Sequence, residues 1–395
     1  MNNKTGLTPS NIRKSNKHLL LQSLRSGGKT IPEISKELKL SPTAITNIVS
    51  DLFACNILTT QGSKSNGSVG RKASLITLNP SYGLIILIEF ASTYEENYYR
   101  ILACDINETI LAVKKLPPII NDSSNQLTEL ILANIDALLT ELGHSGPLLN
   151  ICIAAPGIID ESTGLLITTC LKKYDEEYNL KELLEAKYNV RVHVRGLLSS
   201  AAKAELKKGA LRQGCHFGIL MNLDNGIGMT FIIDNNPFTG AHGFAGEIGF
   251  LTSSLIEGYY ESLTERATTG LGREISFAAV RGNIARRKFM RDCSYTTDSL
   301  LEDYRAGEEI AVQEVVSNAY KVGSFLKNIV LLLDPEIIVI SGLATKLDSH
   351  YLDILNGCIT TTFKEKTKVV FSSLEHPIYL GLLDTAINNV FLSLH

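Results

Sequence analysis

Three helix-start signals and one very short turn fall within the first 55 residues, and together they restrict that stretch to a compact helical unit. Asn16 can cap a helix whose apolar positions include Leu20, Leu21 and Leu24, and Gly27-Gly28 ends it. Thr30 and Glu33 stand at capping-box spacing around Pro32, with Ile31, Ile34 and Leu38 three and four residues apart. Only Lys39-Leu40 separates this second helix from the next. Ser41 is placed to cap the third helix with Pro42 at its first position, and Ile45, Ile48, Val49 and Leu52 supply the buried stripe. Thr43, Thr46, Asn47 and Ser50 are left on other faces.

Short helices, a tight turn and a capped helix with a polar outer face are the parts of a helix-turn-helix, whose second helix fits the major groove of DNA. Thr and Ser can hydrogen-bond base edges, Asn47 can pair with adenine, and the backbone N–H groups near Ser41 can hold a phosphate. The next segment reads as a wing: strand-like Leu58–Gln61, a loop over 62–72, and strand-like Ser74–Leu78. In that loop Lys64, Arg71 and Lys72 can engage phosphates or, for Arg71, a narrow minor groove. The loop reads equally well as a flexible tether. Ser41, Thr43, Ala44, Thr46, Asn47, Lys64, Arg71 and Lys72 are therefore the candidate DNA-binding residues. Charge agrees, since residues 1–80 carry a net +8 while the whole chain is −3, leaving −11 for the rest. A three-helix interaction domain is the plainer alternative.

At 395 residues and 44% hydrophobic, the chain is too long for one ordinary core and too apolar for disorder. No apolar run reaches the length of a membrane span, and the polar stretch Met1–Asn16 lacks a secretory signal, so a cytoplasmic protein is expected. Seven dispersed cysteines fit neither a disulfide framework nor a zinc knuckle. Pro80 and Gly83 mark the exit from the N-terminal unit. Beyond them strands are predicted at Leu84–Phe90, Tyr98–Cys104 and Ile110–Lys115, a helix at Ser124–Leu142, a strand at Leu149–Ala154, and a further helix, strand and helix to Lys208. A second set follows, with strands from Phe217 to Asp224 and Met229 to Ile233, a helical stretch at Ser262–Arg287, a helix at Glu308–Leu332 and a strand at Ile337–Ser341. The pattern is an α/β duplication whose cleft could hold a ligand. Domains are expected at 1–80 and 83–395, the latter in two lobes: about 83–205 with the C-terminal helix, and 206–370.

Four motifs carry a resemblance: the winged segment ending Gly70-Arg71-Lys72, the turn Ala155-Pro156-Gly157-Ile158-Ile159-Asp160, the run Gly240-Ala241-His242-Gly243-Phe244-Ala245-Gly246-Glu247-Ile248-Gly249, and Leu333-Asp334-Pro335-Glu336 with the strand to Gly342. Together they resemble the ROK family of repressors, open reading frames and kinases, from Asn11 to about Phe391. The resemblance implies an N-terminal winged helix-turn-helix joined to an α/β actin-like ATPase domain of duplicated, ribonuclease H-like halves. It also implies a repressor of carbohydrate-related genes, acting as a homodimer or a tetramer on double-stranded, pseudopalindromic DNA, with a sugar or sugar phosphate as effector.

Where the chain departs from the family's kinases, catalysis is put in doubt. Their phosphate turn, Asp-Ile-Gly-Gly-Thr-like, is replaced by Glu89-Phe90-Ala91-Ser92-Thr93, which puts side chains where glycine lets the backbone approach phosphate. The position of their catalytic base, an Asp, is Leu197, which cannot accept a proton, and Gly196 stands for a sugar-binding Asn. The family's zinc site needs a His where Phe250 stands and cysteines where Leu251–Arg273 has none. No catalytic residue, metal or cofactor is therefore expected. Glu247 and Glu261 match positions that contact sugar in relatives, Arg195 replaces an acid at the pocket, and His242 reads first as a loop histidine. Arg195, His242, Glu247 and Glu261 are the candidate effector-binding residues. The other readings are a sugar kinase with an appended DNA-binding module, and a scaffold that binds another protein.

Overall fold

The computed structural model describes residues 9–64, 73–92, 97–116, 124–143, 146–161, 163–168, 179–212, 214–251, 270–290, 294–360 and 366–394. Helix α1 (Pro9–Leu24) begins ahead of the expected cap, so Asn16 lies inside it. No Gly or Pro interrupts Ser10–Ser15, and the added turns gain a partner, because Arg13 pairs with Asp51 at 2.5 Å. Helix α2 (Ile31–Leu38) opens on a complete capping box, with the Thr30 N–H donating to Glu33 Oε2 at 2.8 Å. Such a cap contributes about 1 kcal/mol. Lys39 ends the helix in the left-handed conformation, and two residues later Ser41 caps α3 (Pro42–Ala54). Strands β1 (Leu58–Lys64) and β2 (Ala73–Leu78) form an antiparallel hairpin, with β1 running past the expected end at Gln61 and a register irregularity between Thr60 and Ser63. Lys29 and Ile76 exchange backbone hydrogen bonds of 3.0 and 2.9 Å, tying this hairpin to the turn before α2.

After the single turn Pro80–Tyr82 come β3 (Leu84–Ser92), β4 (Asn97–Cys104), β5 (Ile110–Leu116), α4 (Ser124–Leu142), β6 (Leu148–Ala155), the short pair β7 (Ile158–Asp160) and β8 (Leu165–Thr168), α5 (Leu180–Tyr188), β9 (Arg191–Gly196) and α6 (Leu197–Lys208). The second half holds β10 (Phe217–Leu223), β11 (Ile227–Ile233), β12 (Asn236–Phe238), α7 (Gly272–Ile275), α8 (Phe277–Arg287), α9 (Thr297–Arg305), α10 (Glu309–Leu333), β13 (Ile337–Ser341), α11 (Ser349–Ile359), β14 (Lys368–Phe371) and α12 (Pro377–Ser393). The helical stretch expected at Ser262–Arg287 is thus broken at Ser276, whose hydroxyl oxygen accepts the Ala279 N–H and caps α8; residues 262–269 lie outside the described residues.

Among the described residues the two halves each build a five-stranded sheet, in the orders β5-β4-β3-β6-β9 and β12-β11-β10-β13-β14. In both, the first three strands in chain order pair antiparallel and the fourth and fifth add in parallel, so one plan is used twice. Helices α4 and α5 bury one face of the first sheet. Helices α8, α10 and α11 bury one face of the second. Helix α6 lies between the halves, with Ala201 and Ala202 packed against Leu220, Ile232 and Val339 of the second sheet.

The core beneath the N-terminal helices crosses the junction at 80–83. Leu20, Leu21, Leu24, Ile45 and Leu52 share one cluster with Ile85 and Leu87 of the first sheet and with Leu382, Ala386 and Phe391 of α12. Each of these leucine, isoleucine and phenylalanine side chains contributes about 1.5–3 kcal/mol by leaving water. The N-terminal unit is consequently seated on the body by hydrophobic burial. No helix among the described residues is long and apolar enough to cross a membrane.

Candidate nucleic-acid interface and ligand cleft

Helix α3 presents Ser41, Thr43, Thr46, Asn47 and Ser50 to solvent while Ile45, Ile48, Val49 and Leu52 are buried. The Ser41 hydroxyl oxygen accepts the Ala44 N–H at 3.2 Å, so this side chain starts the helix. Thr46 donates its hydroxyl to the Pro42 carbonyl at 2.9 Å, leaving oxygen lone pairs and a methyl group for an outside partner. Asn47 and the half-buried Ala44 line a shallow groove together with Ile12, Arg13 and Asn16 of α1. Arg13 and Asn16 were not among the sequence candidates; the cluster Arg13, Lys14 and Lys17 was the available signal. Lys64 is the last residue of β1, and Arg71 and Lys72 lie outside the described residues.

A cleft of about 1110 Å³ opens between the two halves. The first half contributes Pro156, Gly157, Glu161 and the β9–α6 junction from Gly196 to Ser199. The second contributes Asn222, the turn Asp224–Gly228, Glu247, Phe250, Arg273, Asn283 and Arg286. Glu247 is brought in by Gly246, whose φ of +94° and close approach to the Met229 carbonyl exclude a side chain: a Cβ there would lie 1.8 Å from that oxygen. Burial pushes the Glu247 carboxyl above its usual range. Burial also pushes Asp224 up, more than the Asn225 N–H and the Arg281 charge pull it down. The cleft therefore offers two carboxyl groups that hold their protons more tightly than exposed acids do.

The effector candidates fare unequally. Arg195 is ion-paired with Glu161, and the Gly196 N–H also donates to Glu161 Oε1 at 3.2 Å, so Arg195 is neutralised beside the cleft and Glu161 is the group that lines it. Sequence reasoning missed Glu161 although it directly follows the quoted turn ending at Asp160. His242 is exposed in the loop and is not among the cleft-lining residues. Glu247 lines the cleft, and Glu261 lies outside the described residues.

The start of α6, where the resemblance puts a kinase base, holds the aliphatic Leu197 at the cleft. The acid retained on the first strand, Glu89, is buried and paired with Arg100, its cross-strand neighbour, with Arg100 Nε donating at 3.0 Å. That carboxylate is committed within the sheet. Phe250 lines the cleft with a ring that has no donor lone pair, and Leu251–Arg273 contains neither His nor Cys, so the zinc implied by the resemblance has no donor set.

The xylose repressor of Caldicellulosiruptor bescii is 24% identical over 361 residues, covering 88% of each chain. The DNA-binding transcriptional dual regulator NagC of Escherichia coli K12 is 24% identical over 370 residues, covering 88% of this chain and 86% of that one. Among solved structures, a ROK family transcriptional regulator homologous to the E. coli MLC protein superposes with a TM-score of 0.76 at 18% identity, covering 96% of this chain and 98% of the other. That coverage leaves too few residues out to omit the N-terminal helices and hairpin. A ROK family glucokinase from Streptomyces griseus, in complex with glucose and AMPPNP, gives 0.61 at 20% identity over 77% of this chain and 99% of its own. Both likenesses establish the sugar-kinase type of fold with its two mixed sheets. Because the model of the ROK family matches residues 96–377, most of the duplicated body, the chain belongs to the ROK family.

Proposed function

We infer that the chain is a sequence-specific DNA-binding transcription regulator, a repressor of sugar-related genes, whose kinase-like body senses a ligand and pairs with a second copy. The observation that carries this reading is the capped helix α3, exposed along its polar face on a unit rooted in a body that has Leu197 where a base would stand. In this reading residues 1–80 form a winged helix-turn-helix: α2, the Lys39-Leu40 turn and α3 enter the major groove, and the β1–β2 hairpin is the wing. Asn47, Thr43, Ala44 and Thr46 meet base edges, the backbone at Ser41 meets a phosphate, and Lys64, Arg71 and Lys72 meet the DNA backbone. Residues 83–395 form the sensing and pairing body. A sugar or sugar phosphate occupies the cleft, with Glu247 and Glu161 orienting its hydroxyl groups. Two-fold pairing sets two α3 helices about 34 Å apart or a multiple of that, so the operator is a pseudopalindrome.

The absence of a base at Leu197, together with the commitment of Glu89 to Arg100, supports a non-catalytic cleft. Selection of bound duplexes from a random-sequence library tests the DNA reading: a pseudopalindromic consensus is expected, and failure to enrich any sequence overturns it. Thermal-shift measurements with xylose, N-acetylglucosamine and their phosphates test the cleft. A ligand at ~100-fold its Kd stabilises the folded chain by about 2.7 kcal/mol. Hexose-stimulated ATP hydrolysis would instead restore the sugar-kinase reading.

A further inference from the structure

Helix α6 connects the cleft to the N-terminal helices. Its first turn, Leu197 to Ser199, lines the cleft, and its last turn carries Lys207 and Lys208. The whole helix is twelve residues without Gly or Pro, a rod of about 18 Å. At the cleft end Leu198 reaches across to the second half, so closely that a Cβ on Gly228 would lie 2.6 Å from Leu198 Cδ1. Along its length α6 is locked to α12, where a Cβ on Gly381 would lie 1.7 Å from the Ser200 carbonyl oxygen. Leu198 and the α6–α12 packing thus lie in the path of any movement of one half against the other at the cleft.

The far end of this pair meets α1. Lys207 Nζ lies 2.7 Å from Asp384 Oδ1 and 3.3 Å from Glu108 Oε1. Arg25, the first residue after α1, reaches the same two oxygens, through Nη1 at 2.7 Å and Nε at 2.8 Å. Lys208 adds a contact of 3.3 Å to Glu108 Oε2. The Arg25 side chain is only 5% exposed, so water cannot replace a lost carboxylate. Two cations from different elements thus share two acceptor oxygens, and a shift of Lys207 changes how firmly Arg25 is held.

We propose that α6 and the cluster of Arg25, Glu108, Asp384, Lys207 and Lys208 relay the state of the cleft to the N-terminal helices, setting how they sit on the body. This rests on the DNA-binding reading for its purpose, while the hydrogen-exchange arm of its test does not. Sharing of both oxygens makes the relay a competition: displacement of the lysines hands both carboxylates to Arg25, and their approach draws them away. Two sites are thereby joined by a named element that either can bias.

The test is a double-mutant cycle on the full chain. Ser199→Trp perturbs the cleft end, Leu198→Ala is a second and smaller perturbation there, and Lys207→Met with Lys208→Met disconnects the far end. The readouts are hydrogen exchange over α1–α3 and Kd for a fluorescein-labelled duplex selected by the unmodified chain. With both lysines present, the cleft substitutions are expected to alter α1–α3 exchange and to change Kd at least about fivefold. Without the lysines, the change falls below about twofold. Equal effects in both backgrounds, or unaltered α1–α3 exchange in both cleft variants, overturn the relay. If no duplex is enriched, the DNA-binding reading fails, and the exchange readout alone decides the relay.

Discussion

Arg25 Nη1 donates to Asp384 Oδ1 at 2.7 Å across 359 residues of chain. Their side chains are 5% and 13% exposed, which places this ion pair inside the seam between the N-terminal helices and α12. Burial raises the carboxyl of the neighbouring Glu108, but Arg25, Lys207 and Lys208 outweigh that and hold it below the usual carboxylate range. Removing Arg25 leaves two carboxylates with only the more exposed lysines. Arg25→Met should therefore destabilise the chain by about 3 kcal/mol, the low end for breaking a buried pair, as read from chemical denaturation. A loss below about 0.5 kcal/mol would show that apolar burial alone seats the N-terminal helices.

Acid should loosen the same seam through His18. Burial and the Arg25 charge lower the pKa of this imidazole, which packs edge-on against Phe391 of α12. The folded chain holds it neutral, whereas the unfolded chain protonates it near pH 6.5. Its stabilising contribution is full above about pH 6.5 and is lost as pH falls below that toward the folded value. The fall in Tm between pH 7.5 and 5.5 should shrink in His18→Gln. It should not vanish, because burial shifts His193 in the same direction in both proteins.

On DNA, Asn47→Ala should relax sequence preference by about 1–3 kcal/mol at one base pair per half-site while sparing affinity for scrambled duplex. Lys64→Ala should weaken binding to every sequence and reduce the salt slope by about one. Titrations of selected and scrambled duplexes at three salt concentrations separate the two patterns, and equal losses on both duplexes from Asn47→Ala would remove it from the base-reading set.

Restoring the missing carboxylate should not restore catalysis. Leu197→Asp puts an acid at the mouth of α6, yet Glu89 stays tied to Arg100 and the first strand has Ala91 and Ser92 where the resemblance puts the glycines of the kinase turn. A coupled assay with glucose and ATP should read no turnover above the unmodified chain. Measurable phosphorylation would mean that the phosphate turn is more permissive than its side chains imply.

Local chemistry explains what the sequence disclosed. Capping at Thr30 and Ser41, the stop at Lys39, and the strand patterns of both halves depend on neighbours a few residues away, so α2, α3 and the duplicated α/β pattern were legible, whereas the short strands β7, β8, β12 and β14 were not. Glycine at Gly246 and leucine at Leu197 could be placed by motif, because each sits in a short turn with a recognisable surround. The early start of α1 was hidden, since its partner Asp51 lies 38 residues on. So was the fate of Arg195, which looked like a free cation until Glu161 arrived from another strand connection.

The amino-acid sequence by itself determined the family, the duplicated α/β pattern of the body and the polar face of α3, and it put Leu197 and Phe250 at the positions where the resemblance expects a base and a zinc-binding His. Tertiary structure alone decided which charges are spent on one another, that one core runs beneath both the N-terminal helices and the body, and that α6 joins the cleft to Arg25. The reason is one of range: helix caps and strand alternation are set within a few residues, whereas an ion pair or a shared core exists only once distant segments have been packed together.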